Sequence, residues 1–299
     1  MSSDVSTFDA LIPAAMAEKA AQIGVRKAHT RFRHLFALGV LAGAFIGIGG
    51  LFATVVTSGA SGMLPYGVIR LLAGLAFGLG LILVVVGGAE LFTGNTLIVM
   101  AFASGKVSLW LLLRNWAIVY AANLVGAVAT AGLVFLTGHY AGGGGSVGLN
   151  MLSTGEAKTA IAFLPAVASG ILCNALVCLA VWLTFSARTT SDKILSIIPP
   201  ITAFVAAGFE HSVANMYFIP TALMVKAWGS SAFWETIQRT PADYPHLTFV
   251  NFIGNLVPVT IGNIIGGAVM VGLVYWLVYL KDKPGHQSAP QPGAVAEKG

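Results

Sequence analysis

Six stretches of this chain are apolar over lengths that match the hydrocarbon core of a bilayer: about 35–57, 69–103, 110–136, 159–187, 195–228 and 252–280. A straight helix crosses with ~20 residues, so the second and fifth stretches exceed one plain span. Each carries a polar interruption, "GGAELFTGN" at 87–95 and "GFEHSVAN" at 208–215. Backbone that leaves the helix at membrane depth survives only where protein buries it or where it lines a cavity. The interruptions therefore predict broken helices that face something other than lipid. Composition points the same way: 57% of residues are hydrophobic and 9% charged, against roughly 25% charged in soluble domains. The expected fold class is an all-α membrane protein of six transmembrane helices, the second and fifth broken, with the lipid bilayer as its surroundings.

The net charge of +5 does not call for a nucleic-acid partner, because the basic residues sit in short loops and tails, where membrane topology accounts for them. With a cytoplasmic N-terminus the inner side holds 12 Lys and Arg residues, and the outer side holds 4: Arg70, Lys158, Lys226 and Arg239. This asymmetry predicts a multi-pass protein with both termini cytoplasmic. The first residues are not followed by an apolar h-region, so no cleaved signal peptide is expected.

Residues 1–34 read as a cytoplasmic amphipathic helix, with Phe8, Ile12, Met16, Ala20 and Ile23 marking one face. A surface anchor is the plain reading of that helix; a plug for the inner mouth is the sharper one. Residues 35–280 form the transmembrane domain, and 281–299, rich in Pro, Gly and Ala, reads as a disordered cytoplasmic tail. The outer loop 137–157, with its "GGGG" run, reads as flexible and carries no phosphate-loop pattern. Cys173 and Cys178 lie five residues apart in one apolar segment, on different helix faces. No disulfide, metal or cofactor is implied.

The two interruptions repeat one another. Gly88, Glu90 and Asn95 recur as Gly208, Glu210 and Asn215, a G-x-E-x-x-x-x-N pattern offset by 120 residues. Asn115, Asn123 and Gly126 recur as Asn255, Asn263 and Gly266, offset by 140. The same order in each half predicts a duplicated three-span unit. Three is odd, so the halves cross in opposite directions, a 3+3 inverted repeat. Such repeats place a site near the midplane where half-helix ends meet. Glu210 and His211 belong there, and the free N–H groups of half-helices starting near Asn95 and Asn215 favour an anion. Both glutamates have a plainer reading too, as acceptors for orphan N–H groups at the breaks.

"GAELFTGNT", "NLVGA", "GFEHSVANMYFIP" and "PVTIGNIIGG" closely resemble the formate/nitrite transporter family, above all its bacterial formate channels, over nearly the whole chain. The resemblance implies an aquaporin-like protomer assembled as a homopentamer in the bacterial inner membrane, with one pore per protomer. It implies formate or a similar small weak-acid anion as substrate, with nitrite, hydrosulfide and short-chain carboxylates as alternatives, and protons as partners. Matched motif by motif, His211 is the central histidine and Glu210 its neighbouring acid, while Leu91, Phe92 and Thr93 come from the loop breaking the second helix. Leu81 with Leu91, and Phe77 with Phe204, correspond to the inner and outer constrictions. Lys158, Asn174 and Asn263 correspond to a polar set toward the outer side.

The mechanism this suggests starts from desolvation. Apolar rings make the path dry, Lys158 and the half-helix ends draw an anion inward, and His211 either holds it as a hydrogen-bond donor or hands it a proton. Other classes fit less well. No Asn-Pro-Ala occurs at either half-helix start, as a water channel requires, and no G-x-x-x-x-G-K-[ST] occurs. A membrane enzyme using Glu210 and His211 for acid–base work lacks further polar groups around it, so no enzymatic activity is expected.

Overall fold

The computed structural model describes residues 10–282, so Phe8 and the tail from residue 283 lie outside it. Every regular element among the described residues is helical. The helix α1 (Pro13–Ala28) has Pro at its first position, where a fixed φ suits a helix start. Two long apolar helices follow, α2 (Phe32–Thr57) and α3 (Tyr66–Gly87). Gly88 then adopts the left-handed region at φ 80°, a conformation that ends a helix without a Cβ penalty. After an extended Leu91 the chain turns into α4 (Phe92–Asn95), a 3₁₀ turn at Thr96–Ile98 and α5 (Val99–Ala103). Ser108 caps α6 (Leu109–Leu136) by accepting the Leu111 N–H.

The second half runs through α7 (Ser146–Thr159), α8 (Phe163–Ser186) and α9 (Thr190–Ala207), the last opened by a capping box between Thr189 and Asp192. Gly208, at φ 81°, ends α9 as Gly88 ends α3. The chain continues through α10 (Ser212–Trp228), α11 (Ser231–Ile237), α12 (Phe249–Ile264), a π-helical stretch at Ile265–Leu273 and α13 (Val274–Tyr279).

Five helical runs are long and apolar enough to cross a bilayer unaided: α2, α3, α6, α8 and the run Phe249–Tyr279. The sixth crossing is α9 with α10, bent by 53° at the break. The fold is thus six-span, all-helical and aquaporin-like. The halves of the second segment are unequal, since Phe92–Ala103 is a short apolar piece only about 18 Å long at 1.5 Å per residue.

Two elements refine the sequence reading. The stretch expected as a flexible loop, 137–157, instead carries most of α7, which buries Val147, Met151 and Leu152 against the core. The glycines before it end at Gly145, whose positive φ starts that helix. Likewise α1 does not lie free: Met16, Ala17, Ala20 and Ala21 are buried with Leu97, Met100 and Trp182, while Ile12 is exposed and Ile23 half-buried.

The repeat is therefore larger than three spans, since each unit begins with a short helix. In both units the first span crosses the third with backbones touching: a Cβ on Gly126 would strike the Val40 carbonyl, and one on Gly266 the Ile171 carbonyl. Small residues permit such approach between membrane helices.

Candidate functional site

At each break the same polar frame is built twice, upside down. The first N–H of each half-helix, on Phe92 and Ser212, donates to the side-chain oxygen of Asn123 and Asn263, both at 2.9 Å. The Asn123 amide group donates to the carbonyls of Gly39 and Glu90, and that of Asn263 to the carbonyls of Gly170 and Glu210. One turn on, Asn95 donates to the Glu90 carboxylate at 2.7 Å and Asn215 to Glu210 at 2.6 Å. Asn115 and Asn255 brace these two amides and donate in turn to the carbonyls of Lys27 and Lys158. Each frame closes on a salt bridge, Lys27–Glu90 and Lys158–Glu210, both 2.8 Å long.

The glutamates accordingly accept from Lys and Asn side chains, while the orphan N–H groups go to Asn123 and Asn263. The first N–H of each half-helix is occupied by an amide oxygen instead of being left for a ligand. Lys27 and Lys158 stand 131 residues apart and arrive on α1 and α7, the two helices that extend the repeat.

The half-helices meet at Thr93 and His211, where Thr93 Oγ1 lies 3.0 Å from His211 Nε2. The other ring nitrogen, Nδ1, accepts the Ala214 N–H at 3.0 Å and so caps α10. That contact fixes the tautomer: an acceptor Nδ1 leaves the proton of a neutral ring on Nε2, facing Thr93. The imidazole also stacks on Phe204, with ring centroids 5.9 Å apart.

Two cavities approach this pair from opposite ends of the bundle. One, of about 650 Å³, is lined by Arg70, Phe77, Lys158, Phe204, Glu210 and His211 among others. The other, of about 410 Å³, is lined by Arg26, Lys27, Leu81, Glu90, Leu91 and Asn95 among others. Phe77 and Leu81 are one turn apart on α3 yet face different cavities, so the dry belt between them is about 6 Å thick. Within it Phe77 packs edge-on against Phe204 at 5.7 Å, and Phe77, Leu81, Leu91 and Phe204 are all buried.

The structure thus brings together His211, Glu210, Lys158, Phe77 and Phe204 on one side of the belt, Leu81 and Leu91 on the other, and Thr93 at the junction. Phe92 points away, edge-on to Trp116 and Tyr120 of α6. Asn174 and Asn263 are fully buried behind the breaks and line neither cavity. Sequence reasoning passed over Lys27, whose signal is a repeated G-x-x-K at 24–27 and 155–158. It also passed over Arg70, whose guanidinium donates to the carbonyls of Val205 and Ala206 and ties down the end of α9 beside Gly208.

The family model described as formate/nitrite transporter matches residues 14–277. The formate channel FocA of Escherichia coli (strain K12) is 46% identical over 280 residues, covering 93% of this chain and 98% of that protein. The formate channel FocA of Haemophilus influenzae is 39% identical over 265 residues, covering 88% and 93%. A solved structure described as a pentameric formate channel with formate bound superposes with a TM-score of 0.80 at 50% identity, covering 84% of this chain and 98% of that one.

Proposed function

The chain belongs to the formate/nitrite transporter family, and from that premise we propose that it is a pentameric channel for formate, with His211 as a hydrogen-bond donor to the passing anion. Its relatives are channels and transporters, not enzymes. Formate and fivefold assembly are carried by the likeness to a pentameric formate channel with formate bound. The role of the histidine is carried by the cap on its Nδ1.

The anion enters a cavity whose Arg70 and Lys158 outnumber Glu210, so the mouth attracts negative charge. At the belt it loses water against Phe77 and Phe204. Thr93 O–H and His211 Nε2–H replace part of that hydration at the narrowest point, and a charged donor is unnecessary. On the far side the anion meets Leu81 and Leu91, then a second cavity where Arg26 and Lys27 outnumber Glu90. The α1 end faces the cytoplasm of a bacterial inner membrane, by the Lys and Arg asymmetry.

A relay in which His211 hands over its proton is the second reading. It requires Nδ1 to take up a proton and release the Ala214 N–H, uncapping α10. The two readings separate in His211→Asn, because Asn is a good N-cap and retains a hydrogen-bonding amide but does not titrate. In proteoliposomes the variant should pass formate within a few-fold of wild type and keep the wild-type pH profile. Efflux that persists while uptake driven by a proton gradient disappears would assign the relay instead. Nitrite, hydrosulfide and acetate in the same flux assay decide among the alternative anions.

A further inference from the structure

The repeat that builds the two polar frames does not extend to the residues behind Thr93. Behind Thr93 lie Thr96, Asn174 and Cys178, and all three donate to the Thr93 carbonyl: Thr96 Oγ1 at 2.6 Å, Asn174 Nδ2 at 3.2 Å and Cys178 Sγ at 3.3 Å. Thr96 Oγ1 and Cys178 Sγ are themselves 3.3 Å apart. The cluster is sealed, with each of the three side chains 0% exposed.

The offsets of 120, 131 and 140 residues identify the counterparts of Thr93, Thr96, Asn174 and Cys178 in the other unit as Val213, Met216, Gly43 and Gly47. The alignment is checked by contact: Gly43 lies against the Asn123 carbonyl, and Asn174 donates to the carbonyl of Asn263 at 2.6 Å. So the fold closes around an apolar set in one unit and spends three buried polar groups in the other. A further exchange makes room for them. Gly267 stands where the other unit has Ala127, and a Cβ on Gly267 would collide with Thr96 Oγ1, Asn174 Nδ2 and Cys178 Sγ. Gly267 lies in the π-helical stretch of the sixth span, a distortion frequent at functional sites.

A buried polar group without a partner is costly, so a fold retains such a cluster where its partners need it. The one carbonyl on which these donors converge belongs to the residue whose hydroxyl meets His211. We propose that Thr96 and Cys178, with Asn174 behind them, are positioning residues: they fix the Thr93 backbone so that its hydroxyl and the His211 Nε2–H converge on one anion. Gly267 is the space that admits them. Two donors converge usefully only if neither can swing away, and Thr93 sits on a helical piece only four residues long. Holding it through its carbonyl keeps the hydroxyl at His211 Nε2.

The inference rests on the formate-channel reading above, so its test includes a measurement that needs no transport. In ¹⁵N-histidine-labelled protein, with the His211 signal identified by its loss in His211→Asn, Thr96→Val and Cys178→Ala should shift the Nε2 resonance. Cys178→Ser keeps a donor and should leave it in place. In proteoliposomes Thr96→Val and Cys178→Ala should raise the apparent KM for formate about three- to tenfold, as expected for one lost hydrogen bond, with maximal flux changed less. Cys178→Ser should restore wild-type KM. A wild type that does not pass formate but shows the resonance shifts overturns the substrate reading and leaves the positioning intact. Unshifted Nε2 resonances in Thr96→Val and Cys178→Ala, at wild-type thermal stability, overturn the positioning.

Discussion

Lys158 and Glu210 have side chains 16% and 4% exposed, and Lys27 and Glu90 have 29% and 10%. Stranding one partner of a buried pair costs 3–5 kcal/mol, far more than removing both. Lys158→Met should therefore lower the thermal midpoint of the detergent-purified protein by the equivalent of about 3 kcal/mol. Adding Glu210→Gln should recover most of it, because the Gln oxygen still accepts from Asn215. Lys27→Met should cost less, since water screens the Glu90 it leaves behind. Equal losses at the two ends would break the link between burial and cost. The recurrence of Glu and Asn at both breaks was legible in sequence; the direction of their hydrogen bonds was not. A pattern fixes which residues recur, and only folding decided that Asn123 and Asn263, from the next span, would take the N–H groups.

Among elements, α7 was the hardest to foresee. Its glycine-rich approach and mixed composition conceal a helix whose role is to deliver Lys158. It is held from two sides. Glu156 accepts the backbone N–H of His246 and Leu247, at 3.0 and 2.8 Å, and His246 Nδ1 sits 2.7 Å from the same carboxylate. On the other side Gly155 lies so close to α10 that a Cβ there would collide with the Ala222 methyl. Its repeat partner Gly24 meets Ala101 in the same manner, at 2.9 Å. Gly155→Ala should therefore push α7 outward, at about 1–3 kcal/mol for overpacking, and weaken formate entry by displacing Lys158. Ala222→Gly in the same chain removes the obstructing methyl, and the pair should regain both stability and flux. If the double variant is no better than Gly155→Ala alone, the contact does not set the height of α7. The sequence did contain the cue, a G-x-x-K recurring after 131 residues, but four residues at an offset unlike the other two carry little weight until the helices are seen side by side.

At the scale of the whole molecule, the apolar surface argues for burial by something outside the chain. Leu133, Leu136, Leu164, Leu195 and Val250 are each between 66% and 79% exposed. Lipid covers such a belt, and in a pentamer neighbouring copies cover part of it. The charges argue separately for direction. Ser191 and Ala242 are exposed and lie at opposite ends of the bundle, Ser191 in the first turn of α9 and Ala242 in a 3₁₀ turn before the last span. The native thiols, Cys173 and Cys178, are fully buried, so an impermeant maleimide reads an introduced cysteine against little background. In intact cells Ala242→Cys should label from outside, whereas Ser191→Cys should label only after the membrane is opened. Native mass spectrometry of the labelled protein should give five copies, with up to one label on each. Labelling of both positions from the same side would overturn the inverted arrangement. Labelling with the sides exchanged would keep the fold and reverse the direction in which Arg70 and Lys158 receive the anion.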